Sequence, residues 1–396
     1  MIGFRYLSAD HLNGFDNYKY KAVDTSPLAK YVMQPWWNAV VQLFPLWVAP
    51  NLITFVGWLL LVFNFALFAY YDFDFHTTNN DLGIVRTPIP SWVWLYCGVG
   101  QFVAHTLDGV DGKQARRTKS SSPLGELFDH GLDSWSCILL PLTLFSAIGT
   151  GTKYGGSTEE MLVPCLAVVA TFHLTHWEKY ITGVLYLPWS YDISQLGCSL
   201  AYLVTGWYGV ELWQFYVFPD VSCARVLKWI LMGSYFVSLP ASIWNVVDHY
   251  MSLRSPEKQQ SDRKNLSFWE AMAPGLPLLL LCVFYYVWSV ISPHNVLVAQ
   301  PRVFMFSLGI VFSNIACRLI ISQMTGLKCD LFNIMFIPVV ITMAAGVLYP
   351  PYEIDILYAC CALLVTMHLH FGISVVQELC EHFNIYCFSI KKQQTS

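Results

Sequence analysis

About ten stretches of roughly 20 mostly apolar residues, separated by polar or Pro/Gly-bearing segments, run along this chain. They begin near Asn51, Trp92, Leu132, Met161, Ile193, Leu227, Phe268, Val303, Leu331 and Ile354. A helix of that length crosses the hydrocarbon core and satisfies its own backbone hydrogen bonds, as lipid requires of any spanning segment. The weak alternating pattern of a membrane barrel is absent. Only 12% of the 396 residues are charged and 55% are hydrophobic. A soluble domain carries about 25% charged residues, so lipid is the main solvent. The expectation is an all-α polytopic membrane protein with about ten transmembrane helices.

Lysine and arginine set the orientation. Arg5, Lys19, Lys21 and Lys30 precede the first window, and Lys113, Arg116, Arg117 and Lys119 follow the second. Arg254, Lys258, Arg263 and Lys264 follow the sixth, and Lys391 and Lys392 end the chain. With ten spans these fall on one face, whereas the other collects scattered cases such as Arg86, Lys153 and Arg302. The positive-inside rule therefore places both termini in the cytosol.

Three regions are expected. Residues 1–50 hold a polar cytosolic arm, without the layout of a cleaved signal peptide, and an interfacial amphipathic helix over "YVMQPWWNAVVQLFPLWVAPN". Trp36, Trp37 and Trp47 are expected there at headgroup depth. Residues 51–250 hold six spans and residues 251–396 four more with a tail, hinged at "LRSPEKQQSDRKNLS". No internal repeat supports a transporter built from duplicated halves. Most of the 12 cysteines lie in apolar windows and read as buried thiols. His173, His176, His368 and His370 read as hydrogen-bonded packing elements, and Arg318, inside the eighth window, needs a partner or a snorkelling route. A net charge of −4 gives no sign of a nucleic-acid partner.

Charge concentrates in "LDGVDGKQARRTKSSSPLGELFDHGLD", Leu107 to Asp133. Asp108, Asp111 and Ala115 share one face of a helix, and so do Asp129 and Asp133. The turn between them, with a proline ahead of the second helix, folds one aspartate pair against the other. Four carboxylates that close repel, and intramembrane charge is costly unless paired, hydrated or bound to metal. Two divalent cations would cancel the nominal charge. Carboxylate-only ligand sets suit Mg²⁺ or Mn²⁺, and such ion pairs stabilise the entering and leaving oxygens of a phosphoryl displacement. Gly112 and Gly125 read either as openings for a ligand or as helix contacts. Arg116 and Lys119 are placed for an anionic substrate or are ordinary flanking charges.

Asp108, Asp111, Gly112, Ala115, Arg116, Gly125, Asp129 and Asp133 stand in the pattern D-x2-D-G-x2-A-R-x8-G-x3-D-x3-D. This pattern resembles the signature of the CDP-alcohol phosphotransferase family. The ten-window layout, "FDNYKYKAVDTSPL", "APNLIT" and "LDGVDGKQARRT" resemble its eukaryotic choline/ethanolamine branch. "HWEKYITGVLYLPWSYDISQ" and "HFNIYCFSIKK" are most similar to the ethanolamine-using members. Vertebrate members of that group carry a selenocysteine near the C-terminus, and Cys387 would stand in its place.

The resemblance implies transfer of phosphoethanolamine from CDP-ethanolamine to the hydroxyl of diacylglycerol or alkyl-acylglycerol, giving phosphatidylethanolamine and CMP. It implies two divalent cations, Mg²⁺ or Mn²⁺, held by Asp108, Asp111 and Asp129 with Asp133 as a fourth ligand. Asn51, Gly112, Ala115, Arg116 and Gly125 would contact the nucleotide. It also implies an endoplasmic reticulum or Golgi membrane, an active site facing the cytosol, and a homodimer.

His130 and Asp133 both remain candidates for the base that takes the lipid hydroxyl's proton. A primary ammonium wants a carboxylate, which makes Glu126, Glu178 and Asp192 head-group candidates; choline is held by aromatic faces, and Tyr180, Trp189 and Tyr191 lie nearby. Choline or dual specificity is the neighbouring alternative. An ion-coupled transporter would explain the aspartates but not the Gly and Ala-Arg spacing. A silent scaffold would have no reason to keep an unpaired cluster of like charge.

Overall fold

A computed structural model describes residues 5–76, 88–150, 153–253 and 266–392. The hinge segment falls almost entirely outside these residues, as does Arg86. Two short helices lead the chain, α1 (Ala9–Asp16) and α2 (Gln34–Val40). The first six windows become α3 (Pro50–Tyr71), α4 (Ser91–Arg117), α5 (Pro123–Ile148), α6 (Thr158–Thr182), α7 (Ser190–Tyr208) and α8 (Cys223–Leu253). The seventh is broken into α9 (Phe268–Met272) and α10 (Gly275–Ile291), with Pro274 between them. A short α11 (Val296–Ala299) precedes α12 (Pro301–Thr325), α13 (Phe336–Leu348) and α14 (Glu353–Phe383).

Local chemistry sets the boundaries. Pro50, Pro123 and Pro301 open α3, α5 and α12, where a missing N–H costs nothing. Ser122 caps α5 through its hydroxyl, and Ser157 and Glu160 form a capping box on α6. At the end of α4 the Ser120 amide donates to the Ala115 carbonyl and the Lys119 amide to Arg116. That Schellman closure places Lys119 in the left-handed region at φ 56°. The predicted turn between the aspartate pairs is therefore a tight reversal, and α5 returns beside α4.

By length and composition alone α3, α5, α8, α12 and α14 suffice to cross a membrane, while α10 and α13 are apolar but shorter. The protein is an all-α, integral membrane protein by this measure. The remaining windows, α4, α6 and α7, fall short of the same measure because they carry polar groups that the next subsection brings together.

Helix α12 is the centre of the bundle, with nearly every residue buried. It lies against α5, α6 and α14, as expected of a helix apolar on all sides. A side chain at Gly309 would strike Ile138 of α5, so the glycine sets the closeness of that contact. The helices after residue 250 thus share a core with those before it. In contrast, only 6% of the apolar window of α8 is buried.

The described part of the N-terminal arm packs onto the bundle. Ser8 caps α1 reciprocally with His11, and Leu7 and Phe15 join an apolar cluster with Leu127, Ile320 and Phe371. Strand β1 (Ala22–Val23) pairs in parallel with β2 (Leu185–Tyr186), tying the arm to the α6–α7 connection. A hairpin of β3 (Tyr216–Phe218) and β4 (Val221–Ser222) precedes α8, and β5 (Ile385–Tyr386) with β6 (Ser389–Lys392) closes the chain.

The interfacial stretch is an irregular helix from Ala29 to Leu43 that includes α2. It is fastened to α4 by polar bonds: Lys113 Nζ donates to Gln34 and Asn38, Gln114 to the Pro45 and Val48 carbonyls, and Arg117 to those of Val41 and Phe44. Trp36 and Trp47 are exposed as expected, but Trp37 is buried. Gly109 leaves room for the Trp37 ring, which a Cβ at that position would strike. Packing against α4 thus withdraws the Trp37 ring from the protein surface.

Candidate active site

Asp108, Asp111 and Asp129 present carboxylate oxygens within 4.8 Å of one another, and Asp129, His130 and Asp133 offer a second such group. The first group spans α4 and α5; the second lies along α5. Helical spacing alone explains the pairs, and the Schellman turn brings them face to face.

Neighbouring helices orient the carboxylates. Asp108 accepts from the Tyr191 hydroxyl of α7 at 2.7 Å, and Asp111 from the Thr54 hydroxyl of α3 at 2.5 Å. Asp129 Oδ1 is buried without a hydrogen-bond partner. His130 Nδ1 lies 3.9 Å from Asp129 and 3.6 Å from Asp133, while its Nε2 is buried and unpaired. The His176 ring of α6 stands beside it at 5.3 Å. At an effective dielectric of about 20, unit charges at this spacing repel by on the order of 3 kcal/mol per pair. Among the described residues no lysine or arginine is paired with any of the four. The donor set, the orphaned oxygen and the uncompensated charge all fit divalent cations held by oxygen ligands.

The glycines read as openings. A Cβ on Gly112 would meet only the Arg116 guanidinium at 3.6 Å, and one on Gly125 only the Asn51 oxygen at 3.4 Å and the Ser122 hydroxyl. Gly112 meets no neighbouring helix, and Gly125 meets α3 only at the Asn51 side chain in ordinary contact, unlike Gly109, where a Cβ would strike the Trp37 ring. Ala115 is half-buried and Arg116 exposed on the same face as Gly112, clear of the α4 face that holds the interfacial helix. Asn51 also donates to Cys387 Sγ at 3.7 Å from the C-terminal hairpin. Phe388 of that hairpin packs tilted against Phe55 and edge-on to Phe128. Burial pushes the Cys387 thiol up to about 11, so sulfur stays protonated at neutral pH. All twelve cysteines are free thiols.

The three head-group candidates separate. Glu126 is paired with Lys179 and accepts from the Tyr18 hydroxyl through Oε1, while its Oε2 is buried and unpaired. Tyr18 and Tyr20 place their rings 5.7 and 5.0 Å from the Lys179 ammonium. Glu178 points away: its oxygens accept from Ser242 and Asn245 of α8, both at 2.6 Å. It is two residues beyond His176, on the far side of α6 from His130, and serves the α6–α8 contact. Asp192 faces His105 at 3.1 Å, one helical turn from Asp108. The approach lacks hydrogen-bond geometry, so Asp192 Oδ1, like Glu126 Oε2, is buried without a hydrogen-bond partner. Of the aromatics, Tyr191 bonds Asp108, Trp189 donates to Thr25 and Tyr180 is buried against Leu319.

Several contributors escaped sequence reasoning. Thr54 follows Asn51 at helical spacing and could have been found that way. Tyr18, Tyr20, His105 and Lys179 reach the site from elements far apart in sequence, with no local signal. The four histidines behave as packing elements: His173 bonds the Pro274 carbonyl, His176 Gln323, His368 Ser313 and His370 Tyr6. Arg318 has found partners in Asp330 at 3.3 Å and Asn314 at 3.1 Å.

The sequence pattern of the CDP-alcohol phosphatidyltransferase family matches residues 47–232, from just after the interfacial helix into α8. Ethanolaminephosphotransferase 1 of Mus musculus is 44% identical over 99% of this chain and 96% of its own length. Choline/ethanolaminephosphotransferase 1 of Arabidopsis thaliana is 31% identical over 98% of this chain and 99% of its own. Cholinephosphotransferase 1 of Xenopus laevis is 28% identical over 98% of this chain and 92% of its own. With the eight signature residues gathered around one carboxylate cluster and a likeness that runs almost end to end, the chain belongs to the CDP-alcohol phosphatidyltransferase family.

Proposed function

We propose that this protein transfers phosphoethanolamine from CDP-ethanolamine to the hydroxyl of diacylglycerol or alkyl-acylglycerol, giving phosphatidylethanolamine and CMP. The observation that carries the reading is the meeting of four carboxylates with an unpaired imidazole nitrogen between α4 and α5. The lipid oxygen forms a bond to the phosphorus bearing ethanolamine, the bond from that phosphorus to the CMP oxygen breaks, and the hydroxyl proton goes to His130 Nε2. Asp133 stays the alternative base, but its place in the carboxylate cluster favours a ligand role.

Asp108, Asp111, Asp129 and Asp133 hold two divalent cations, Mg²⁺ or Mn²⁺. When bound, these neutralise the pyrophosphate and stabilise charge on the departing phosphate. Tyr191 and Thr54 fix the orientation of Asp108 and Asp111 as ligands. Asn51, Gly112, Ala115, Arg116 and Gly125 receive the nucleotide, with the bare glycine faces admitting close approach and Arg116 supplying charge. The free Oε2 of Glu126 accepts from the substrate's primary ammonium.

Arg116 and Arg117 end the same helix that carries Asp108 and Asp111, a basic flank that supports a cytosolic active site in an endoplasmic reticulum or Golgi membrane. The largely unburied α8 leaves room for a partner copy, in line with a homodimer.

Dual or choline specificity is the second reading, favoured by the Tyr18 and Tyr20 rings that already flank an ammonium. Competing CDP-ethanolamine against CDP-choline on purified protein with diacylglycerol decides between them. Preferential phosphatidylethanolamine formation is expected, and preferential phosphatidylcholine formation overturns the head-group assignment.

A further inference from the structure

Beyond the carboxylate cluster, the bundle contains a cavity of about 680 Å³ between α12, α13, α14 and the N-terminal segment. It lies at the same end of the bundle as the aspartates: Cys317, beside Arg318, faces Gly131 of α5. Its volume is that of a small-molecule pocket. Arg5, Arg318 and His370 supply the polar wall, and Phe332, Ile337 and Phe371 the apolar one. The Arg318 guanidinium stands 5.0 Å over the Phe371 ring and pairs with Asp330, a side chain 66% exposed that a competing anion can displace. Arg5 is held at the rim by design of the backbone: the Tyr6 and Leu7 amides both donate to Glu378 of α14 at 2.9 Å.

Two arginines above an apolar wall in a membrane bundle match one ligand chemistry, a phosphate with acyl chains attached. A second observation ties this pocket to the catalytic helix. Arg318 Nε donates to Asn314 at 3.1 Å, and Asn314 meets the His368 ring at 3.3 Å. His368 bonds Ser313 at 2.8 Å, and Ser313 bonds Ser134 at 2.5 Å, the residue after Asp133. All the links between Asn314 and Ser134 are buried.

We propose that this cavity is a binding site for an anionic phospholipid of the surrounding leaflet, and that its occupancy is communicated through Asn314, His368 and Ser313 to α5. The phosphate bridges Arg5 and Arg318, and the acyl chains run along Phe332 and Ile337. The cavity is a separate place from the carboxylate cluster: α12 gives Asn314 and Arg318 to its wall and turns Cys317 toward Gly131 of α5.

Full-length protein in nanodiscs of phosphatidylcholine with added phosphatidylserine provides the test. Native mass spectrometry after a delipidating wash should show phosphatidylserine retained by the wild type. Loss of one charge-assisted contact should weaken retention about tenfold in Arg318→Gln, and less in Arg318→Lys and in the rim variant Arg5→Gln. Millimolar inorganic phosphate should not displace the lipid; displacement would mark a site for free anion and overturn the proposal. Equal retention by wild type, Arg318→Gln and Arg5→Gln would overturn it too. Turnover should rise with phosphatidylserine in the wild type, while Ser313→Ala should keep the lipid but lose the rise. A wild type indifferent to bound phosphatidylserine would contradict the link to α5. The retention arm is read without any turnover, so it stands apart from the proposed reaction.

Discussion

Helix α5 touches two charge centres, one near each end, and they are built on opposite principles. Near its C-terminal end the guanidinium of Arg302 donates to the carbonyls of Asp72, Phe73 and Leu142 and to the Ser146 hydroxyl, and lies 4.1 Å over the Phe75 ring. Every contact is fixed by the fold, and the residue is 1% exposed. Near the N-terminal end four carboxylates face one another with an orphaned oxygen and an unpaired imidazole nitrogen. A satisfied buried charge joins the ends of helices; an unsatisfied cluster of like charge keeps room for ligands that the chain does not supply.

The contrast breaks most sharply at Asp129. Asp129→Asn should raise the melting temperature of chelator-treated protein, because a repelling charge is gone, yet abolish the rise that Mg²⁺ or Mn²⁺ gives the wild type. At a hundred-fold excess of metal over its Kd, that wild-type rise corresponds to about 2.7 kcal/mol. Arg302→Met should act the other way. It orphans several buried acceptors and should cost about 3 kcal/mol in detergent melts, while the surviving folded fraction keeps its turnover number.

His130→Ala sharpens the distinction within the polar centre. Turnover should fall about a hundredfold, with binding of CDP-ethanolamine retained in equilibrium titration. Loss of binding with normal turnover at saturation would assign the imidazole to ligand orientation instead. Lys119→Gly lies in neither centre and calibrates the scale. Glycine relieves the left-handed strain at the α4 terminus and should stabilise by about 1 kcal/mol with unchanged catalysis.

The two centres also differ in how much of them was legible in sequence. The carboxylate cluster could be read because its geometry is set by short-range spacing: Asp108 to Asp111, Asp129 to Asp133, and a proline-led turn between. Arg302 read only as a loop-end charge, since its acceptors come from the ends of α3 and α5 and backbone carbonyls leave no trace in sequence. The same limit explains Trp37, whose inward turn depends on Gly109 across a helix contact, and the capture of α1 by α12 and α14. Hydropathy placed ten helices well but overstated their apolarity. Helices α4, α6 and α7 carry the polar side chains that line the site, so the function itself is written into their departure from a simple span. Glu178 and Glu126 looked equivalent as carboxylates near span ends; which face of the helix each occupies, and what it meets there, separated them.

The most direct measurement of the catalytic claim is CMP release by purified protein given CDP-ethanolamine and diacylglycerol, with Mg²⁺ or Mn²⁺ and then with chelator. The expected result is metal-dependent CMP formation by the wild type and a fall of about a thousandfold in Asp129→Ala. CMP release that persists in chelator, or that Asp129→Ala supports at the wild-type rate, would contradict the assignment of the carboxylate cluster as the catalytic centre.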